Sequence, residues 1–171
     1  MNLGDALKGR RSVRRYEPKS VPREIVQNLI DAAETAPSAG NLRARKYVAV
    51  INPEILKALA VAAYGQDQVK TAPLVIVICA DVDRSSSRYG DRGSLYAIQD
   101  AAAATMCLLL KAYDLGLGAC WNGAFDDDLV RDLLGLEEHM LPVALISVGW
   151  PSEVPQAPPK RDIDEVLIWM A

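Results

Sequence analysis

Histidine is almost missing from this chain: His139, in the polar stretch GLEEHM, is the only one among 171 residues. A Ser-His-Asp site has no other base to draw on, and His139 itself reads as an exposed loop residue. Cysteine is scarce as well. Cys79, Cys107 and Cys120 are odd in number, far apart and set among apolar neighbours, and no Cys-x-x-Cys occurs. That excludes a disulfide framework, implies no metal site, and fits reduced buried thiols in a cytoplasmic protein. The opening MNLGDALKGR has no apolar run, so no secretory leader is expected. The longest uncharged helical stretch, AAAATMCLLL, is half a membrane span bounded by Asp100 and Lys111. No Walker A sequence is present. The glycines of GLGACWNG fail the dinucleotide fingerprint, because Trp121 stands where the third glycine belongs and the stretch follows a helix instead of a strand.

Positive charge is not in excess overall, since 19 Lys plus Arg face 22 Asp plus Glu for a net charge of -3. Neither nucleic acid nor a membrane is the expected partner. The charge is unevenly placed, however. Between Lys8 and Lys46 ten basic residues stand against four acidic ones, Glu17, Glu24, Asp31 and Glu34. The stretch GRRSVRRYEP concentrates Arg10, Arg11, Arg14 and Arg15 around Ser12 and Val13. A guanidinium fork matches a phosphate or a planar heterocyclic edge, and several on one segment repel unless an anion neutralises them. One reading is a solvated helix end, in which Lys8, Arg10 and Arg11 complement the C-terminal dipole of a helix over 2–9. The other is a binding edge, with Val13 and Tyr16 anchoring an extended segment so that Arg10, Ser12 and Arg14 point one way.

Periodicity alternates helix and strand. VPREIVQNLIDAAETA is helical by the spacing of Ile25, Val26, Leu29, Ile30 and Ala33, with Pro22 in a first turn and Pro37 as the stop. KYVAVI is a short strand, and Asn52-Pro53 opens a helix to about Ala63. PLVIVICA is apolar throughout, as a strand covered on both faces must be. Residues 95–115 predict a long helix that is apolar on nearly every side, which the fold or a second subunit has to cover. A short helix after FDDD, a strand LPVALISVGW, an extended Pro-rich connector PSEVPQAPPK and a closing IDEVLIWM complete the chain. At this length one domain over 1–171 is expected, layered as α+β or α/β.

Three further stretches are candidates for chemistry. APSAGN offers Ser38 and Asn41 with free backbone N–H groups around a turn, GACWNGAF reads as a glycine-bounded loop able to approach a flat ligand, and Lys160-Arg161 returns positive charge after the connector. Each alone is equally well a plain turn, a plain loop or a solvated pair.

In order along the chain, RRSVRRY, APSAGN, YGQDQVKTAPLVIVICAD, LLLKAYDLGLGACWNGAF, LPVALISVGWP and the terminal basic pair resemble the nitroreductase family of FMN-dependent oxidoreductases. The resemblance implies an α+β fold with a central mixed β-sheet flanked by helices and an intertwined homodimer with FMN at its interface. It implies that Arg10, Arg11, Ser12 and Arg14 bind FMN from one subunit, while Pro37, Ser38, Ala39 and Asn41 line it from the other. Gln66 and Gln68 would approach the pyrimidine ring, Trp121, Asn122 and Gly123 would face the central ring, and Lys160 with Arg161 would hold the phosphate. Arg14 and the Gly123 backbone are the candidates closest to the chemistry. NADH or NADPH is the implied donor and a small molecule the acceptor. Arg43 and Arg45, in LRARKY, stand where many relatives have a Gln-Pro-Trp type run; they read as solvated surface, with an anionic acceptor or NADPH phosphate as the alternative. The polar DRSSSRYGDRGS is short where longer members carry inserted helices, which implies an open site. A non-catalytic flavin- or anion-binding module and an RNA-binding arm over 8–23 are the competing readings, the latter weakened by few aromatics beside the arginines.

Overall fold

The computed structural model describes residues 2–170; Met1 and Ala171 lie outside the described residues. Local signals set most elements. Helix α1 (Leu3–Gly9) starts where Asn2 Oδ1 accepts the Asp5 N–H at 2.9 Å. Helix α2 (Arg23–Glu34) has Pro22 at its N-cap. Strand β1 (Arg45–Val50) leads to α3 (Pro53–Ala62), where the Asn52 side chain accepts from the Glu54 N–H at 2.9 Å, and then to the short α4 (Asp67–Thr71). Strand β2 (Leu74–Asp81) is followed by α5 (Val82–Tyr89) and the long α6 (Gly93–Asp114). Strand β3 (Gly118–Asn122), α7 (Asp127–Leu134, capped by Asp126) and β4 (Met140–Gly149) follow.

The sheet runs β1-β2-β4-β3, and every neighbouring pair is antiparallel. The α+β class and the flanking helices are as expected; the mixed sheet is not. The α6 crossover joins β2 to β3, which run in the same direction, but β4 inserts between them and pairs with both. Among the described residues, parallel pairing survives only as an isolated bridge between Ser12 and Ala119. A second correction concerns GACWNGAF, whose first half is the edge strand β3 and not a loop. Its glycine has a packing reason, because a Cβ on Gly118 would stand 2.6 Å from Val13 Cγ1.

β2 is buried on both faces. Leu74, Ile76 and Ile78 pack with Leu29 of α2 and with Ala101, Ala104 and Leu108 of α6. Val75, Val77 and Cys79 pack with Leu59, Val69 and Val130 on the other side. Each fully buried Leu or Ile contributes about 1.5–3 kcal/mol relative to exposure, so this strand anchors both layers.

Among the described residues, the helical stretch Val82–Asp114 is long and apolar enough to cross a membrane. Its alanines at 97, 101, 104 and 112 are core residues of the sheet layer, which accounts for that composition. The chain does not wrap α6 completely, however, and leaves Leu95 44% and Met106 37% exposed. Beyond β4 the connector is extended. After one 3-10 turn (Ile163–Glu165), Ile168, Trp169 and Met170 are all more than four-fifths exposed, at 83%, 84% and 93%.

Candidate functional site

The N-terminal arginine segment lies along the β3 edge. Val13 donates its N–H to Ala119 O at 3.1 Å and buries its side chain, while Tyr16 bridges Pro151. The Tyr16 hydroxyl donates to Val13 O at 2.6 Å and lies 2.9 Å from Ser147 Oγ; burial raises its pKa well above the ordinary phenol value. With these anchors inside, the charges are left outside. Lys8, Arg10, Arg11, Ser12, Arg14 and Lys160 line one groove of about 510 Å³, closed by the connector, and no acidic side chain lines it. Arg14 also lines an adjoining groove of about 520 Å³ with Arg15, Tyr16, Asp67, Gln68 and Thr71. Arg10, Ser12 and Arg14 share this groove of about 510 Å³, but Arg11 lines it as well, so the strict alternation expected of an extended strand is not kept.

Not every predicted residue points the same way. Arg11 Nη1 donates to Lys8 O and Arg10 O, both at 2.7 Å, so the helix-end reading holds for Arg11 even as it lines the groove. Arg161 does not line it; its Nε pairs with Glu165 Oε2 at 3.0 Å. Asn122 is 2% exposed, and its amide donates to Leu145 O at 2.8 Å and accepts from Gln68 Nε2 at 2.7 Å. Gln68 in turn donates to Gln66 Oε1 at 3.0 Å, and Gln66 to Ala124 O at 2.8 Å. The side chains of this chain of amides brace the end of β3. What β3 presents outward is the half-exposed Trp121 and, just beyond, the Gly123 backbone.

The APSAGN loop sits at the other edge, before β1. Pro37 and Ser38 lead into a one-turn helix (Ala39–Asn41) with Gly40 and Asn41 both at φ 56°, and Ser38 Oγ accepts the Arg43 N–H at 3.0 Å. Two buried charges hold this turn. Arg45, expected on the solvated surface, has a fully buried side chain: Nε pairs with Glu34 Oε1 at 2.8 Å, Nη2 donates to Ala36 O at 3.0 Å and Nη1 to Asp100 O at 3.2 Å. Asp100 Oδ1 accepts the Ala39 N–H at 3.0 Å, while its Oδ2 is buried with no hydrogen-bond partner among the described residues. Burial pushes the Glu34 carboxyl up, but hydrogen bonds from Arg45 and from Tyr47 at 2.7 Å, with the nearby guanidinium charge, bring it below its ordinary value. No local pattern announces Arg45, since its partner lies eleven residues back on another element.

The two half-sites do not meet within one chain. The arginine segment adjoins β3 and the turn adjoins β1, and three interstrand spacings of about 4.8 Å separate these edges. Elsewhere the thiols are quiet. Burial pushes Cys79 up to about 12 and raises Cys120 despite the influence of Arg14, so neither supplies a thiolate at neutral pH. His139 is only a quarter exposed, within 3.9 Å of Asp81 and Asp83 and 3.5 Å of Glu137, and is not the free loop residue expected.

The sequence profile of the Nitroreductase family matches residues 7–68 and 60–150. The chain belongs to this family. It is 34% identical over 194 residues to an NADH dehydrogenase of Thermus thermophilus, covering 96% of this chain and 93% of that one. To an FMN reductase (NADPH) of Bacillus subtilis it is 25% identical over 173 residues, covering 93% and 70%. The structure of B. megaterium NfrA2 superposes with a TM-score of 0.92 at 26% identity, covering 100% of this chain and 75% of that one. Membership in the nitroreductase family makes the chain an oxidoreductase and accounts for its lack of a histidine-based site.

Proposed function

We propose that residues 1–171 form a single-domain, cytoplasmic, homodimeric FMN oxidoreductase that takes electrons from NADH or NADPH and reduces nitroaromatics, quinones or related small electrophiles. The observation that carries this reading is the acid-free arginine groove at one sheet edge together with a complementary turn at the other. A twofold dimer built on the open stripe of α6, where Leu95 and Met106 are exposed, would set one protomer's turn opposite its partner's arginines. The apolar C-terminal segment supports the same assembly, because Ile168, Trp169 and Met170 have no cover within the chain.

The donor set fits FMN. Lys8, Arg10 and Lys160 supply cations for the phosphate, Ser12 a hydroxyl for the ribityl chain, and Arg14 links the phosphate groove to the one lined by Gln68. Bound FMN would supply ping-pong two-electron chemistry between the nicotinamide donor and the acceptor. Arg14 would hold a fixed positive charge beside the cofactor and so favour its reduced state. The Gly123 N–H would offer the cofactor a hydrogen-bond donor. Pro37, Ser38, Ala39 and Asn41 of the partner protomer would confine the cofactor from the other side. Arg161 joins the phosphate group only if it leaves Glu165 on dimerisation.

The test is the absorption spectrum and hydrodynamic size of purified protein, followed by anaerobic addition of each nicotinamide. A yellow dimer that bleaches with donor and recovers with a quinone is expected. A monomer that takes up no FMN in excess would overturn the proposal, and a yellow dimer that never bleaches would make it a binding module.

A further inference from the structure

A second concentration of guanidinium groups lies on the β1 side, outside the grooves described above. Arg84 Nε donates to Leu42 O, and Arg88 Nη1 lies 3.5 Å from Gly40 O, so both arginines of α5 lean on the rim of the APSAGN turn. Arg43 leaves that turn at φ 49°, and Arg92 Nε donates to the Tyr96 hydroxyl at 3.0 Å. Tyr89 and Tyr96 meet edge to face at 5.0 Å, with Arg88 5.6 Å from the first ring and Arg92 5.2 Å from the second. All four arginines are exposed, and among the described residues none has an ion-pair partner within 4.0 Å. The nearby acids are otherwise placed: Asp81 caps α5 through the Arg84 N–H, Asp81 and Asp83 face His139, and Asp91 lies exposed in the turn before α6.

This arrangement works against the stability of the chain. Arg84 and Arg88 are like charges four apart on one helix and repel, while the acids near the group are engaged elsewhere or exposed: Glu34, which Arg43 influences, pairs with Arg45 and Tyr47, Asp81 caps α5, and Asp91 is exposed. The cluster is also keyed to the turn, since a Cβ on Gly40 would stand 2.5 Å from Tyr89 Oη and 2.8 Å from Arg88 Nη1, and Gly40 has φ 56°. An anion bound there would remove the repulsion and would lie beside the turn assigned to the flavin.

We infer that Arg43, Arg84, Arg88 and Arg92 bind the phosphates of the nicotinamide donor and select the 2′-phosphorylated form, NADPH, over NADH. The inference rests on the flavin reading, which puts the donor at the same turn. Four forks exceed what a diphosphate bridge requires, and a terminal phosphate offers the geometry they match.

The experiment uses FMN-saturated protein, whose first groove is filled, and measures binding of adenosine 2′,5′-bisphosphate and of 5′-AMP by calorimetry. The bisphosphate is expected to bind at least about tenfold tighter, the factor a single charge-assisted hydrogen bond supports. Arg84 and Arg88 also brace the turn, so the decisive variant is the double substitution Arg43→Gln with Arg92→Gln, neither of whose guanidiniums contacts a turn carbonyl. It should abolish that preference and lower the NADPH over NADH ratio of kcat/KM about tenfold at equal flavin content. Equal binding of the two nucleotides by the wild type, or an unchanged ratio in the variant, overturns the inference alone. A wild-type protein that takes up no FMN overturns the functional reading with it.

Discussion

Arg14 at one edge of the sheet and Arg45 at the other put the same side chain to opposite uses. At the β3 edge Arg10 and Arg14 reach a groove with no acidic lining, whereas at the β1 edge Arg45 is fully buried and its donors are shared among Glu34 and the carbonyls of Ala36 and Asp100. The first kind of arginine keeps its donors for a ligand. The second spends them on backbone that water cannot reach, and so shapes a loop. A count of positive residues in 8–46 mixes the two kinds; only burial separates them.

Stability and ligand binding should therefore part company between the edges. The largest effect is expected for Arg45→Ala, which strands Glu34 and several buried carbonyls; urea unfolding should show a loss of roughly 3 kcal/mol. Equal stability to the wild type would mean that the turn holds itself. For Arg14→Ala the pattern should invert, with stability within about 0.5 kcal/mol of wild type and FMN affinity weaker by about tenfold or more. Unchanged flavin retention and potential would remove Arg14 from the site. Acid should act on the β1 edge through Glu34. Its folded-state pKa lies below the ordinary value of 4.5, so its contribution is complete above that pH and is lost as pH falls through the lower folded value. Glu34→Gln should flatten that part of the acid-unfolding curve, and an identical slope would contradict the assignment. The smallest change is expected for Lys57→Ala, whose 2.8 Å pair with Glu54 is exposed; thermal unfolding should move by less than about 0.5 kcal/mol equivalent.

Much of this could be read from residue order. The Asn52 cap, the both-face burial of 74–80 and the helix over 95–115 are local properties, and the structure repeats them with small shifts of boundary. The arginine segment was also readable, because Val13 and Tyr16 interrupt the charges with apolar anchors. The antiparallel sheet was not, since the insertion of β4 between β2 and β3 leaves no trace in either strand. Nor was β3, a five-residue edge strand flanked by glycine, whose short run carries no clear alternation.

What the amino-acid sequence determined alone is the set of elements and the chemistry of their side chains, because caps, periodicity and charge act over a few residues. The tertiary structure decided which arginines face solvent, which amides brace the end of β3, and that the two candidate half-sites stand at opposite edges. Those outcomes depend on contacts between distant segments, and burial of a charge is a property of the space around it, which no short stretch of chain encloses.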